Sequence, residues 1–207
     1  MKFLNRNIEA VLFDMDGVLI DSYEMHKKGL ELTAEEYGFK VSEADFISIF
    51  GKTSYEGMSS LPYCKDWGRE KIEEFNDKQD GMFRKIFAQK PVLVPGALEF
   101  ANKLAEKNIP IAIGTSAPRA NAEVFIESLK LEGFFKAVVS GDDVSKGKPD
   151  PEIYLTCAKQ LNVNPENCLV FEDSIMGIRS GKAANMSVIA LSTTHNENEL
   201  NEADFIV

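Results

Sequence analysis

Short apolar runs alternate with amphipathic segments from about residue 92 onward, and this alternation constrains the fold more than any other feature of the sequence. The apolar runs lie at 109–116, 136–143, 168–174, 187–191 and 204–207. The segments with helical character lie at 96–108, 119–131, 151–163 and 174–185. Strands that are apolar throughout and are separated by helices are typical of a parallel sheet covered on both faces. The sequence therefore predicts an α/β fold.

The segment 21–91 departs from this pattern, because it contains helical signals and no convincing strand. The run AVLFDMD at 10–16 precedes it and has the apolar character of the later strands. We therefore predict that 1–20 and 92–207 form a core domain, and that 21–91 is a helical domain inserted after the first strand. Asp21 or Ser22 is a suitable N-terminal cap for the first inserted helix.

Composition narrows the classes of partner and the cellular compartment. The 207-residue chain carries a formal net charge of −10, which disfavours nucleic acid and anionic membrane surfaces as main partners. Its three cysteines lack CxxC spacing, so we expect no disulfide framework and a reducing cytoplasm. No apolar run approaches the roughly 18 to 20 residues of a membrane span, and we see no secretion signal. We expect a cytoplasmic monomer.

Polar side chains with catalytic potential follow four apolar runs of the predicted sheet. Because ligands bind at the carboxyl ends of parallel strands, we expect these side chains to converge at one edge. Each alone is better explained by a turn, a solvated loop or a helix cap, but their joint position favours a site. The residues are Asp14 and Asp16, Thr115 and Ser116, Lys146 and Lys148, and Glu172 and Asp173.

This set of side chains suits phosphoryl transfer. Clustered carboxylates are costly unless a cation offsets their charge, and oxygen ligands suit Mg²⁺. One carboxylate can attack phosphorus and form an aspartyl phosphate, while a second moves protons. A hydroxyl group, backbone N–H groups and a lysine can hold the transferring oxygens. The expected partner is a small phosphorylated metabolite.

Four motifs in order resemble those of the haloacid dehalogenase (HAD) superfamily of aspartyl-phosphate hydrolases. They are DMDGVLIDS at 14–22, GTSAP at 114–118, KGKPDP at 146–151 and FEDSIMGI at 171–178. The resemblance covers almost the whole chain. It implies a Rossmann-like three-layer α/β/α core with a parallel sheet, and a small α-helical cap domain inserted after the first motif.

The resemblance also implies a role for each motif residue. Asp14 corresponds to the nucleophile and Asp16 to the general acid and base. The phosphoryl group is expected at Thr115 and the backbone around Ser116, with Lys148 matching the motif lysine better than Lys146. The ligands implied for Mg²⁺ are Asp14, the carbonyl oxygen of Asp16, and Asp173, with Glu172 assisting.

The inserted segment bears on the choice between a phosphatase and a β-phosphoglucomutase-like sugar phosphomutase. His26 stands where the mutases carry a histidine, and is explained equally well as a hinge or surface residue. Phe50 takes the place of a mutase lysine, and Ser54 that of a mutase arginine. These departures favour a Mg-dependent phosphatase of sugar phosphate-like monoesters, with the mutase as the alternative. Expected substrate contacts from the cap are His26, Phe50, Lys52 and Thr53.

Two alternative hypotheses assign the chain to a different functional class. A receiver-like phosphoacceptor domain also combines a doubly wound sheet with acidic residues, a hydroxyl and a lysine. The length of the chain and its helical insertion disfavour that alternative. A HAD-like protein that binds a ligand without catalysis is the second rival, and it is disfavoured because all four motifs are complete.

Overall fold

The structure is a computed structural model that describes residues 2–4, 6–49 and 54–207. Its residues separate into two units, one made of Met1–Ser22 and Val92–Val207 and the other of Tyr23–Pro91. The helical unit is inserted after the first strand of the main sheet, and the α/β class with an inserted cap domain is confirmed. None of the described helices is both long and apolar enough to cross a membrane.

A six-stranded parallel sheet organises the larger unit. Its strands are β3 (Ala10–Phe13), β4 (Ile111–Gly114), β5 (Ala137–Val139), β6 (Cys168–Glu172), β7 (Ser187–Ala190) and β8 (Phe205–Ile206). A separate antiparallel pair, β1 (Lys2–Phe3) and β2 (Arg6–Asn7), precedes them. The strand order of the main sheet is β5-β4-β3-β6-β7-β8. Winding therefore reverses between β3 and β6, and such a switch point opens a crevice at the carboxyl ends of the strands.

Helices cover both faces of the sheet. They are α5 (Ala97–Glu106), α6 (Arg119–Leu129), α7 (Glu152–Leu161) and α8 (Ile175–Ala183). Leu12 of β3 packs in a buried cluster with Tyr154 of α7 and Ile178 of α8. Phe13 points to the opposite face, where its ring lies 5.4 Å from that of Phe171 and 6.3 Å from that of Phe100 in α5. All residues of β3 are buried, as expected for a strand covered on both sides.

The inserted unit consists of α1 (Tyr23–Glu36), α2 (Glu43–Ile49), α3 (Ser54–Ser60) and α4 (Arg69–Gln89). Its core is a cluster around Phe75, whose ring packs against those of Tyr37, Phe39 and Trp67. Burial of such aromatic rings supplies the main stabilising term for a small helical unit.

Helix α3 and the pair β1–β2 were not predicted. The α3 segment has a glycine and several serines, which have low helix propensity. It is helical because Met58 packs, together with Leu61 just beyond the helix, into the same core as Phe75. Tertiary packing therefore overrides local preference here. The predicted strand at 136–143 is also shorter, since β5 ends at Val139 and a 3-10 turn at Gly141–Asp143 follows.

Candidate active site

The predicted carboxylates meet where β3 and β6 lie side by side. Asp14 follows β3 directly, and its backbone N–H donates to the carbonyl oxygen of Phe171 at 2.9 Å. Glu172 is the last residue of β6, and Asp173 follows it. All three carboxylates are buried. The reversal of winding thus brings the first and fourth sequence motifs to one crevice.

Lys148 joins these motifs to each other. Its Nζ donates to Oδ1 of Asp14 at 2.7 Å, to Oε1 of Glu172 at 2.6 Å and to the carbonyl oxygen of Gly114 at 3.0 Å. The side chain of Lys148 is 6% exposed, and those of Asp14 and Glu172 are 10% and 0% exposed. Exclusion of water strengthens both ion pairs and raises the cost of leaving one charge unpaired.

Protein donors engage both oxygens of Glu172. In addition to Lys148, Oε1 accepts from the hydroxyl of Tyr154 at 2.7 Å. Oε2 accepts from the N–H groups of Asp173 and Ser174, both at 3.1 Å, and from the Ser174 hydroxyl at 3.0 Å. Because its oxygens are used in this way, the geometry favours Glu172 as the residue that holds Lys148 in place.

The first turn of α8 closes over the Glu172 carboxylate. The Ser174 hydroxyl caps this helix by accepting from the N–H of Gly177 at 3.0 Å. A Cβ atom at Gly177 would lie only 1.7 Å from Oε1 of Glu172, so a larger residue does not fit. Tyr154 lies beneath the site, with the Lys148 ammonium 4.9 Å from its ring centre. Neither Tyr154 nor Gly177 is predicted as a site residue from the sequence. Tyr154 has the sequence signature of a core residue, whereas a glycine within a helical segment is a signal that points to Gly177.

The carboxylates of Asp14, Glu172 and Asp173 form a centre that fits a divalent cation. Ligand oxygens of Asp14, Glu172 and Asp173 lie within 4.8 Å of one another. Burial, together with the negative charges of Glu172 and Asp16, raises the pKa of Asp14 to about 7 despite the opposing Lys148 charge. Burial and the charges of Asp14 and Glu172 also raise the pKa of Asp173 well above its ordinary value. A hard cation with oxygen ligands, such as Mg²⁺, would relieve this repulsion.

The pKa of Glu172 shifts in the opposite direction from those of Asp14 and Asp173, although all three side chains are buried. Burial alone would raise its pKa, but the Lys148 charge and the hydrogen bonds from Lys148 and Tyr154 lower it below the ordinary value. The charges of Asp14 and Glu172 raise the pKa of Lys148 against the effect of its own burial. Glu172 and Lys148 therefore stay charged across the neutral range.

Thr115 and Ser116 follow β4, the neighbour of β3. Thr115 is buried, and its Oγ1 accepts from the N–H of Ala117 at 3.1 Å. Ser116 is exposed. The N–H of Gly141 donates to the carbonyl oxygen of Ala117 at 3.0 Å, and a Cβ atom at Gly141 would lie 2.5 Å from the carbonyl oxygen of Ser116. The turn after β5 thus supports the backbone that follows Thr115.

Asp16 is half-buried and lies beyond the fully buried Met15 in the loop after β3. Asp21 is exposed at the end of the same motif, two residues before α1 begins. Asp21 thus differs in its exposure from the buried carboxylates of Asp14, Glu172 and Asp173.

The predicted cap residues are described only in part. His26 lies in α1, half-buried, with its ring stacked on that of Phe83 at 4.2 Å. Phe50, Lys52 and Thr53 fall outside the described residues.

Replacing Lys148 by methionine should lower the free energy of unfolding by about 3 kcal/mol in EDTA near pH 8, because Asp14 and Glu172 then face each other without a cation. Lys146→Met is the control. Its side chain is 73% exposed and lies 3.7 Å from Asp150, so the change should stay within about 0.5 kcal/mol. Urea unfolding measures both, and equal effects would contradict the assignment of Lys148 to the site.

Tyr154→Phe should cost about 2 kcal/mol of unfolding free energy, because it removes a hydrogen bond to a buried charged carboxylate. Tyr37→Phe is the matched control, since its hydroxyl donates at 2.9 Å to the exposed Glu74. Urea unfolding of both variants tests the difference. A Tyr154→Phe variant as stable as Tyr37→Phe would show that Glu172 does not depend on this donor.

In metal-free protein the contribution of Asp14 to the free energy of unfolding should fall between about pH 4 and about pH 7. Native Asp14 keeps its proton up to a pKa of about 7, whereas the unfolded chain loses it near 3.8, so stability is lost as the pH rises through this window. Asp173 acts in the same direction. Urea unfolding in EDTA should show a steeper fall for the wild type than for Asp14→Asn. Mg²⁺ should restore more stability at the higher pH.

Comparisons with known proteins agree with this architecture. The family model described as haloacid dehalogenase-like hydrolase matches residues 11–191. The phosphorylated carbohydrates phosphatase of Thermotoga maritima is 36% identical, over 88% of this chain and 84% of its own length. The validoxylamine A 7'-phosphate phosphatase of Streptomyces hygroscopicus is 30% identical, over 96% and 92%. A crystal structure of a HAD hydrolase of family IA from Entamoeba histolytica superposes with a TM-score of 0.87 at 31% identity, covering 97% of this chain and 92% of that one. The chain therefore belongs to the haloacid dehalogenase-like hydrolase family.

Proposed function

We propose that this phosphoric monoester hydrolase is a Mg²⁺-dependent phosphatase of small sugar phosphate-like metabolites, and that it works through an aspartyl phosphate on Asp14. The observation that carries the proposal is the contact of Asp14 with Lys148 at the switch point of the sheet. This contact fixes a carboxylate oxygen and a positive charge side by side. A phosphoryl group that approaches Asp14 would meet both.

The reaction proceeds in two displacements. First, an Asp14 oxygen forms a bond to phosphorus while the bond from phosphorus to the ester oxygen breaks, and Asp16 gives its proton to the departing oxygen. Then the Asp16 carboxylate takes a proton from water, whose oxygen bonds to phosphorus and releases the Asp14 carboxylate. Inorganic phosphate leaves, and both aspartates return to their starting states.

Three groups would hold the phosphoryl oxygens during these steps. Lys148 supplies a buried positive charge that is already oriented by Glu172. The hydroxyl of Thr115 and the backbone N–H groups around Ser116 supply neutral donors at the end of β4. Donors that are fixed before the reaction stabilise developing charge without a cost of reorientation.

Asp14, Asp173 and the carbonyl oxygen of Asp16 would hold Mg²⁺. When bound, the ion offsets the repulsion between the carboxylates and an anionic substrate. Glu172 would contribute from the edge of this centre, chiefly by fixing Lys148.

The substrate class is suggested by relatives whose names identify them as phosphatases of phosphorylated carbohydrates and of validoxylamine A 7'-phosphate. Specificity would come from the inserted helical unit, with His26, Phe50, Lys52 and Thr53 as the candidate contacts. Neutral hydroxyl groups of a sugar would need hydrogen-bonding side chains there, and the last two can provide them.

Purified protein with Mg²⁺ should release phosphate from p-nitrophenyl phosphate and from hexose phosphates, and Asp14→Asn should lose at least about a thousandfold in rate because the nucleophile is gone. Asp21→Asn is the matched control. It changes an exposed carboxylate of the same motif and should leave the rate within about twofold.

Incubation with glucose 1-phosphate, with and without a hexose bisphosphate, tests the reaction type when both free phosphate and isomerised hexose phosphate are measured. Free phosphate alone supports the phosphatase. Isomerised hexose phosphate would instead establish the mutase. Full activity in Asp14→Asn would overturn the covalent mechanism itself.

A further inference from the structure

Three consecutive side chains in the segment after β7 reach the proposed cation centre. The hydroxyl of Thr193 donates to the carbonyl oxygen of Gly17 at 2.6 Å. The hydroxyl of Thr194 donates to Oδ2 of Asp173. Nδ1 of His195 lies 3.1 Å from the carbonyl oxygen of Asp173, and because a carbonyl oxygen only accepts, this nitrogen is the donor.

We propose that Thr193, Thr194 and His195 form a clamp that positions Asp173 for divalent cation binding, with Thr194 as the main positioning residue. The inference rests on the proposed use of a cation, but it concerns side chains that none of the four sequence motifs contains. The clamp touches the loop that follows β3 and the loop that follows β6. It therefore ties together the backbone segments that carry the proposed ligands.

The loop after β3 packs closely against Asp173 and Thr194 at Gly17. Gly17 has a φ of 71°, in the left-handed region that favours glycine. A Cβ atom there would lie 1.9 Å from Oδ2 of Asp173 and 2.8 Å from Oγ1 of Thr194. Oδ2 of Asp173 and Oγ1 of Thr194 thus both lie against the Gly17 backbone, so this side of the Asp173 carboxylate has no free space.

The Thr194 hydroxyl can donate one hydrogen bond, and it donates that bond to Asp173. A carboxylate that is held at one oxygen cannot rotate freely about its Cβ–Cγ bond, so the direction of its lone pairs is fixed before a cation arrives. His195 holds the backbone of the same residue. Contacts of this kind behind a ligand commonly change metal affinity by about 10- to 100-fold.

Neighbouring polar side chains of the segment behave differently. Asn196 bonds locally with Glu199, and Ser192 donates to the carbonyl oxygen of Val207 at 3.0 Å. Neither contacts the loops after β3 and β6 through these bonds. The three clamp residues therefore differ from the rest of the segment in the target of their hydrogen bonds, and Ser192 provides a control from the same segment.

Mn²⁺ binding measured by electron paramagnetic resonance, with no phosphate ester present, tests the clamp, because carboxylate sites accept Mn²⁺ as well as Mg²⁺. Thr194→Val should weaken Mn²⁺ binding at least about tenfold. Thr194→Ser, which keeps the hydroxyl, and Ser192→Ala should both stay within about twofold of the wild type. Binding by Thr194→Val within about twofold of the wild type, or an equal loss in Ser192→Ala, overturns the proposal.

Circular dichroism and urea unfolding in EDTA establish that each variant is folded. If Thr194→Val does not fold, His195→Phe carries the same expectation, since it keeps a ring but removes the donor to the Asp173 carbonyl oxygen. Wild-type protein that binds no Mn²⁺ also overturns the clamp, whatever its rate of phosphate release. A clamp effect in a protein without phosphatase activity supports the clamp and refutes only the proposed function.

Discussion

The buried ammonium of Lys148 between Asp14 and Glu172 is the interaction on which the rest of the site depends. An ammonium group without water is costly, and two carboxylates at 2.7 and 2.6 Å offset that cost. Those carboxylates need hydrogen-bond donors in turn. Glu172 accepts from the hydroxyl of Tyr154 and from Ser174 at the start of α8. The core of the domain, and not the surface loops alone, therefore fixes the position of Lys148.

Topology explains why residues so distant in sequence meet at this lysine. The sheet winds outward in both directions from β3 and β6, and the helices on either side leave the carboxyl ends of these two strands open. Asp14 and Asp173 follow the two central strands. Lys148 arrives from the segment between β5 and α7, where Gly114 and Tyr154 lie beneath it. A shift in the pairing of β3 with β6 would separate the carboxylates that the ion pairs join.

The sequence predicted the parallel sheet, the inserted helices and the meeting of polar residues at the carboxyl ends of the strands, because apolar runs and the polar residues that end them are local signals. The choice of Lys148 over Lys146 rested on the resemblance of the third motif to that of the family. Three features have no such signal. Helix α3 depends on packing of Met58 into the aromatic core, and Tyr154 resembles any buried helix residue. Thr194 lies in a polar loop whose target, Asp173, is 21 residues away in the chain. Only folding reveals which loop threonine faces a carboxylate.

Burial affects Asp14, Glu172 and Asp173 alike, yet their pKa values move in different directions. The pKa of Glu172 is lowered because the Lys148 charge and the donors around its oxygens outweigh its burial, whereas burial, with the neighbouring carboxylates, raises the pKa of Asp14 and Asp173. The site therefore contains one carboxylate that keeps its charge through the neutral range and two whose charged forms are disfavoured by burial. This division separates the roles physically: Glu172 keeps Lys148 oriented whether or not a ligand is present. A cation bound beside Asp14 and Asp173 would favour their charged forms, which would couple the charge of the proposed nucleophile to occupation of the proposed cation centre.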